Sequence, residues 1–321
     1  SFKSENLSDE LEKLRPKELI ASQDLISTKG LYERLKPYQK NCVIQANSYF
    51  AYNKCINIIT KFFNIIDIKA IGQITNDQVS AVGAVLEYIN ITQKNHLPKL
   101  SLPKITSKTT LLLIDHTTRK DLELVSNIQG QYKDSLLSLI NDTTTKAGSR
   151  LMFKYLSAPL INVDEINNRL SSVEYFVQNR NITNAISNLL TNYHDVARIV
   201  AKISVQRVMP LEIVALKESL KAAFEIKNIL INHINSLPSY LQQIIKLLPT
   251  NLMLHDTINE TLAPAPAKNL LEGGFIANNY HPQILELNNL LDNNQAIILA
   301  LKNKYQQQTD IDNLKINHNN I

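Results

Sequence analysis

Apolar residues recur at helical steps through most of the chain, in blocks separated by proline, glycine and asparagine. Leu7, Leu11 and Leu14 open the pattern and Pro16 stops it. Residues 17–21 then read as a short buried strand, and a helix followed by a strand suggests a slice of an α/β unit. Residues 22–40 show no clear period and read as loop or weak helix. The next helix spans 46–63, with Tyr49, Tyr52, Ile56, Ile59 and Phe63 on one stripe. Gly72 breaks the chain. Residues 79–91 follow as a helix, with Val82, Val85, Leu86 and Ile89 facing inward. Residues 96–103 carry two prolines and read as a connector. The brief apolar run 110–114 has the length of a strand.

From Arg119 onward the pattern is almost wholly helical. Asn162 and Glu165 have capping-box spacing. Behind them Val163, Ile166, Leu170, Val173 and Val177 repeat at steps of three and four, a stripe expected to face a core or a partner helix. Pro210 stands where a first helical turn tolerates it. The helix it opens carries Ile213, Leu216, Leu220, Ala223, Ile226, Leu230 and Ile234 on its inner side. Two shorter helices are expected near 239–248 and 251–262. A heptad-like seam of Ile284, Leu287, Leu291, Asn294, Ile298, Leu301 and Tyr305 predicts one long helix over 282–308. At about 1.5 Å per residue it would be roughly 40 Å long and would project. Leu314, Ile316 and Ile321 then lie in an extended-looking tail whose pairing partners are expected elsewhere.

Composition supports the helical reading. The 321 residues are 44% hydrophobic, with only 7 glycines and no tryptophan. The fold class that follows is mainly α, with a small α/β piece at the start. The chain begins with Ser and its final residues continue a pattern, so a piece of a longer protein is expected. No apolar run approaches the roughly 20 residues of a membrane span, and no signal peptide pattern stands at the start. Cys42 and Cys55 are too few for a disulfide scaffold and fit no zinc spacing, which leaves two reduced cytosolic thiols as the reading. The net charge of +5 permits weak nucleic-acid contact without demanding it, and no polybasic arm is present.

The usual catalytic signatures are missing from the sequence. A phosphate-binding loop needs two glycines five positions apart before Lys and Ser or Thr, and no two glycines here have that spacing. There is no Gly-x-Gly-x-x-Gly, and no two of the seven histidines have the i, i+4 spacing of a helical zinc site. Asp115-His116 invites reading as a catalytic dyad, but adjacent residues point apart and no nucleophile motif is near, so a surface loop pair is preferred. Asp195 and Arg198 stand at a helix start. An anion site and a simple N-cap are the two readings, and the cap is favoured because a capping Asp occupies the free N–H groups. Arg119, Lys120, Arg150 and Lys154 form a modest basic group for which solvated or salt-bridged surface is preferred over DNA contact. No residue is assigned a catalytic, cofactor-binding or metal-binding role.

Several segments, in order, resemble the MutS family of DNA mismatch-repair ATPases. They are LEYINITQKNHLPKL (86–100), LLIDHTTRKDLELVSNIQG (112–130), the Gly148-Ser149-Arg150 turn with Pro159, the Arg169 helix, Asp195 with Arg198, GGFIANNY (273–280) and TDIDNLKINHNN (309–320). Asp115, Thr118, Arg119, Leu122, Glu123 and Leu124 match the family pattern, while Asp121 stands where Asn is usual and Ala197 where Glu is usual. Leu285 replaces a usual Asp. Asn279 stands where Gly is common, and Asn also tolerates a left-handed conformation.

The resemblance implies the C-terminal part of a connector domain over 1–80, a helical core or lever domain over 81–311, and a segment directed to the DNA clamp over 312–321. It implies a cytoplasmic parent that binds mismatched double-stranded DNA, ATP and Mg, a second MutS subunit and MutL. The segment itself would be no enzyme, would bind no cofactor, would bind DNA weakly or not at all, would touch no membrane, and would relay motion between ATPase and clamp. The alternative is a helical protein–protein scaffold with no nucleotide or DNA role, using the Ile284 to Tyr305 seam.

Overall fold

Two parallel strands start the fold in the computed structural model, which describes residues 7–14, 16–28, 30–94, 97–104, 111–267 and 270–316. Helix α1 (Leu7–Leu14) leads into β1 (Leu19–Ser22), and two short helices, α2 (Gln23–Ser27) and α3 (Leu31–Leu35), cross over to β2 (Cys42–Gln45). Leu19 pairs with Cys42 and Ser22 with Gln45, in parallel. This is the expected α/β slice. Its first strand lies one to two residues later than the apolar run suggested. Its second strand, four residues with no turn signal at either end, carried no readable period.

Helix α4 (Tyr52–Phe63) starts later than its stripe implied. Residues Asn47–Phe50 form a 3-10 turn instead, and the Asn47 side chain accepts from Asp24 N at 3.2 Å. Helix α5 (Asn76–Gln93) opens with a complete capping box, Thr75 with Gln78, that the sequence reading passed over. Its buried line is Val79, Gly83, Ala84 and Leu86, whereas Val85 is exposed. The inner face is therefore rotated from the expected one. The reason is Cys55: α4 lies so close at Gly83 that only hydrogen fits between them. Cys55, Ile59, Ile71, Val79 and Leu86 form one core, so position 80 falls inside a helix that is packed on both sides of it. Both cysteines are free thiols.

The 110–114 run makes one antiparallel bridge, Leu111 to Leu160, rather than a strand; its first residue, Thr110, lies outside the described residues. Helix α6 (His116–Asp121) is followed by an irregular stretch with Glu123 and Asp134 at positive φ and only α7 (Leu136–Ile140) as a helix. The helical pattern expected from Arg119 is thus interrupted. Leu124, Val125 and Leu137 bury themselves there with Met152, Phe153 and Leu156.

Regular helices then follow: α8 (Lys146–Ser157), α9 (Val163–Gln178), α10 (Arg180–Leu190), α11 (Val196–Ser204), α12 (Pro210–Ile231) and α13 (Ser239–Leu247). Asn162 caps α9, accepting from Glu165 N at 3.0 Å. The apolar stripe of α9 does not face the core: Leu170, Val173 and Val177 are 58%, 59% and 63% exposed, while Ser172 and Tyr175 are buried. Tyr175 and Phe176 offer larger apolar areas than the valines, and they pack with Leu230, Leu237, Leu241 and Ile245.

Residues 1–208 with 218–250 form one unit, and residues 209–217 with 251–321 a second. The second unit holds α14 (Met253–Thr261), an antiparallel bridge of Leu262 with Ile276, α15 (Pro282–Asp292) and α16 (Asn294–Thr309). Gly273 and Gly274 both take positive φ, at 66° and 68°. The left-handed turn rests on them and not on Asn279. The 282–308 helix is present as α15 and α16, interrupted at Asn293, whose side chain and backbone N–H both donate to Asn289 O at 3.0 Å. None of its side chains is buried. Of the expected tail, residues 317–321 lie outside the described residues, as does His96 of the connector.

The Gly83 contact generates a test. A Cβ there would stand 2.6 Å from Cys55 Sγ and 2.7 Å from its Cα. Alanine gains about 1 kcal/mol of helix propensity, but overpacking against backbone costs more. Gly83→Ala is expected to lower stability by roughly 1–3 kcal/mol, read as a lower urea midpoint; an unchanged or higher midpoint rejects the close packing.

Candidate functional site

Each residue of the Gly148-Ser149-Arg150 segment has a separate local task. Thr145 caps α8, and its hydroxyl accepts from Gly148 N at 2.9 Å. The segment is thus the first turn of a helix and not a loop turn. Ser149 Oγ accepts from Asn141 Nδ2 at 2.8 Å, and the same amide donates to Tyr132 OH at 3.1 Å. Thr143 in turn donates to Asn141 Oδ1 at 2.7 Å. Arg150 then reaches across to α11.

Asp195 receives it. Arg150 Nη2 donates to Asp195 Oδ1 at 2.9 Å, and Nη1 pairs with Oδ2, giving a two-pronged ion pair. Asp195 is also the N-cap of α11, accepting from Arg198 N. The capping reading therefore holds, and the ion-pair partner is Arg150. The exposed side chain of Arg198 adds only to the local positive field. The neighbouring His194 N donates to the buried Ser219 hydroxyl at 2.9 Å, which ties the approach to α11 onto α12. The Arg150 hydrogen bond, chiefly, holds the Asp195 carboxyl below its ordinary range. Only 13% of the Asp195 side chain is exposed, against 55% for Arg150.

A second brace lies on α8 and α9. The Arg169 guanidinium carbon sits 3.6 Å above the centre of the Tyr155 ring. Burial, then a hydrogen bond with Tyr240, pushes the Tyr155 phenol up.

Asp115 and His116 do not form a dyad. Asp115 caps α6, accepting from Thr118 N at 2.9 Å and Thr118 Oγ1 at 2.6 Å, and these bonds hold its carboxyl below the usual range. His116 N donates to Asp9 Oδ1. The basic group is broken up as well. Arg119 is 7% exposed, with Nε on Ile114 O at 2.9 Å, so it is no solvated surface charge. Arg150 is engaged by Asp195, while Lys120 and Lys154 face solvent. Glu123 accepts from Ile128 N at 2.6 Å. Among the described residues no three His, Cys, Asp or Glu side chains cluster in a way that would hold a metal. No described helix is long and apolar enough to cross a membrane.

Sequence reasoning missed the Arg150–Asp195, Asn141–Ser149 and His194–Ser219 contacts. The one signal available was an unpaired Arg in a first turn and an Asp at another helix start.

The class defined is a mainly helical scaffold with a small α/β start, in which the motif carboxylates cap helices and one of them pairs with an arginine of another helix. Comparison with known proteins gives the family. Residues 1–101 match MutS domain II and residues 117–317 match MutS domain III. The chain is 38% identical over 314 residues to the DNA mismatch repair proteins MutS of Rickettsia rickettsii (strain Sheila Smith), Rickettsia africae and Rickettsia bellii (strain OSU 85-389). These alignments cover 98% of this chain and 35% of each relative, so the chain spans about a third of their length. The chain belongs to the MutS family.

Replacing Asp195 by Ala removes a cap and an ion-pair partner at once, and a loss of about 1–2 kcal/mol is expected. Arg150→Ala should cost less, since its half-exposed charge is screened. Asp195→Asn keeps the cap and isolates the charge. Because the folded carboxyl is held low, its stabilisation is complete above the unfolded value of about 3.9 and fades as pH falls through the folded value. Urea unfolding of wild type and Asp195→Asn at several pH values should show a gap at pH 7 that closes only in strong acid. A gap that closes between pH 5 and 7 would contradict the assignment.

Proposed function

We propose that this chain is the connector-and-core portion of a mismatch-repair protein and works there as a mechanical relay. It would link nucleotide state in an ATPase part to the posture of a DNA clamp and a mismatch-binding part. The longer protein would be a cytoplasmic DNA-dependent ATPase that binds mismatched double-stranded DNA, a second MutS subunit and MutL. ATP and Mg would be held by sequence outside these residues, since no glycine pair here fits a phosphate loop. The segment would hydrolyse nothing itself.

The observation that carries this reading is the Arg150–Asp195 pair. It fixes the starts of α8 and α11 in distance and angle, and helices held at their ends transmit displacement as rigid bodies. We place the end of the connector part after α5, near residue 93 and not at 80, because α5 shares the core of Cys55 and Ile59. The helical core would run from about 111 to 311, with 312–321 leading toward the clamp. A second reading, a scaffold that binds partner helices, is favoured by the exposed Leu287, Leu291, Leu301 and Tyr305 of the seam.

The test uses the full-length protein. With Asp195→Ala, ATP turnover without DNA should stay within about twofold of wild type, while its response to a mismatched duplex falls about tenfold, as loss of roughly 1.4 kcal/mol of coupling predicts. An unaltered response removes the relay. Turnover of ATP by the isolated 321 residues would also reject it.

A further inference from the structure

Asp9, on α1 in the MutS domain II match, accepts a hydrogen bond at 2.7 Å from the backbone N–H of His116, which opens α6 just before the domain III match begins. The two are 107 residues apart in sequence. We propose that this contact is a latch: an electrostatic joint through which the N-terminal helix and the start of the helical core dock and release together.

Three observations support it. The His116 N–H is a first-turn donor that no carbonyl of its own helix can satisfy, so Asp9 fills a vacancy that no residue of α6 fills. Asp9 and Glu10 of α1 border one cavity of about 170 Å³ together with residues 112–115 and Arg119, so the two segments face each other around the bond. Arg119 lies buried at the same place and is fixed by Ile114 O, which puts a positive charge on the cavity that the acidic first turn of α1 also lines.

The joint is also poised to open. Asp115, the cap of α6, brings a second carboxylate to the same helix start and cavity, and like charges repel. The positive charge of Arg119 offsets that repulsion. A contact balanced in this way responds to ionic strength, because salt screens a partly exposed attraction. The latch does not depend on the relay reading. It concerns only whether these two segments move as one.

Hydrogen exchange with mass spectrometry on the whole chain tests it. Asp9→Ala is expected to raise exchange about tenfold in peptides covering 7–14 and 112–121, and to leave peptides across the Cys55–Leu86 core unchanged. Asp9→Asn keeps an acceptor oxygen without the charge and should fall between wild type and Ala. Added salt should loosen wild type more than Asp9→Ala. Unchanged exchange at 112–121 in Asp9→Ala overturns the latch. So does an equal rise in the Cys55–Leu86 core, which marks general unfolding, or opening of 112–121 while 7–14 stays protected.

Discussion

Among the helix-end contacts of the first unit, the pairing of Arg150 with Asp195 is the one that sets orientation most narrowly. An apolar contact tolerates sliding, but a guanidinium that meets a carboxylate through two parallel bonds fixes distance and orientation together. One partner sits in the opening turns of α8 and the other at the start of α11. Setting those two points also sets where Met152, Phe153 and Leu156 of α8 enter their apolar cluster and where Ile199 of α11 is buried. His194 and Ser219 extend the constraint to α12. Three helices are thereby referred to one small polar site.

The helical fold was largely readable because period 3.6 survives the asparagine-rich composition, and because proline and capping residues punctuate it. What could not be read was which face wins. On α9 the regular stripe of Val163, Leu170, Val173 and Val177 looks like a core face, yet the buried side carries Tyr175 and Phe176. Periodicity counts apolar positions equally, whereas burial is weighted by area, and two aromatic rings outweigh several valines. On α5 the error has a different source. Gly83 contributes nothing to an apolar stripe, but its missing side chain is what lets Cys55 approach and so turns the helix.

The candidate site was half legible. Asp195 as a cap follows from local rules, since an Asp before an apolar helical run has a free N–H group within reach. Its partner does not follow, because Arg150 lies 45 residues away and no periodic rule links them. Arg119 shows the same limit from the other side. A charged residue among charged neighbours reads as surface, and only the folded chain shows it bracing the Ile114 carbonyl. The resemblance to the MutS family marked both Arg150 and Arg119 as members of a pattern without saying what either one touches.

Taken residue by residue, the matched positions share one kind of work. Asp115, Thr118 and Glu123 direct their oxygens or hydroxyls at backbone N–H groups or at one another, and the Arg150 guanidinium donates to the Asp195 carboxylate. A carboxylate that caps a helix is stabilised in its charged form by the same N–H groups it satisfies. Asp195 is held below its ordinary range by Arg150 first and by its cap bond after that, and Asp115 by the Thr118 hydroxyl and then the Thr118 N–H. General acid–base work needs a group whose affinity for a proton lies near the working pH. These two have been driven the opposite way, by the very bonds that make them good structural joints. The chemistry of Asp115 and Asp195 therefore agrees with their geometry: each caps a helix, and Asp195 also ties one helix to another through Arg150.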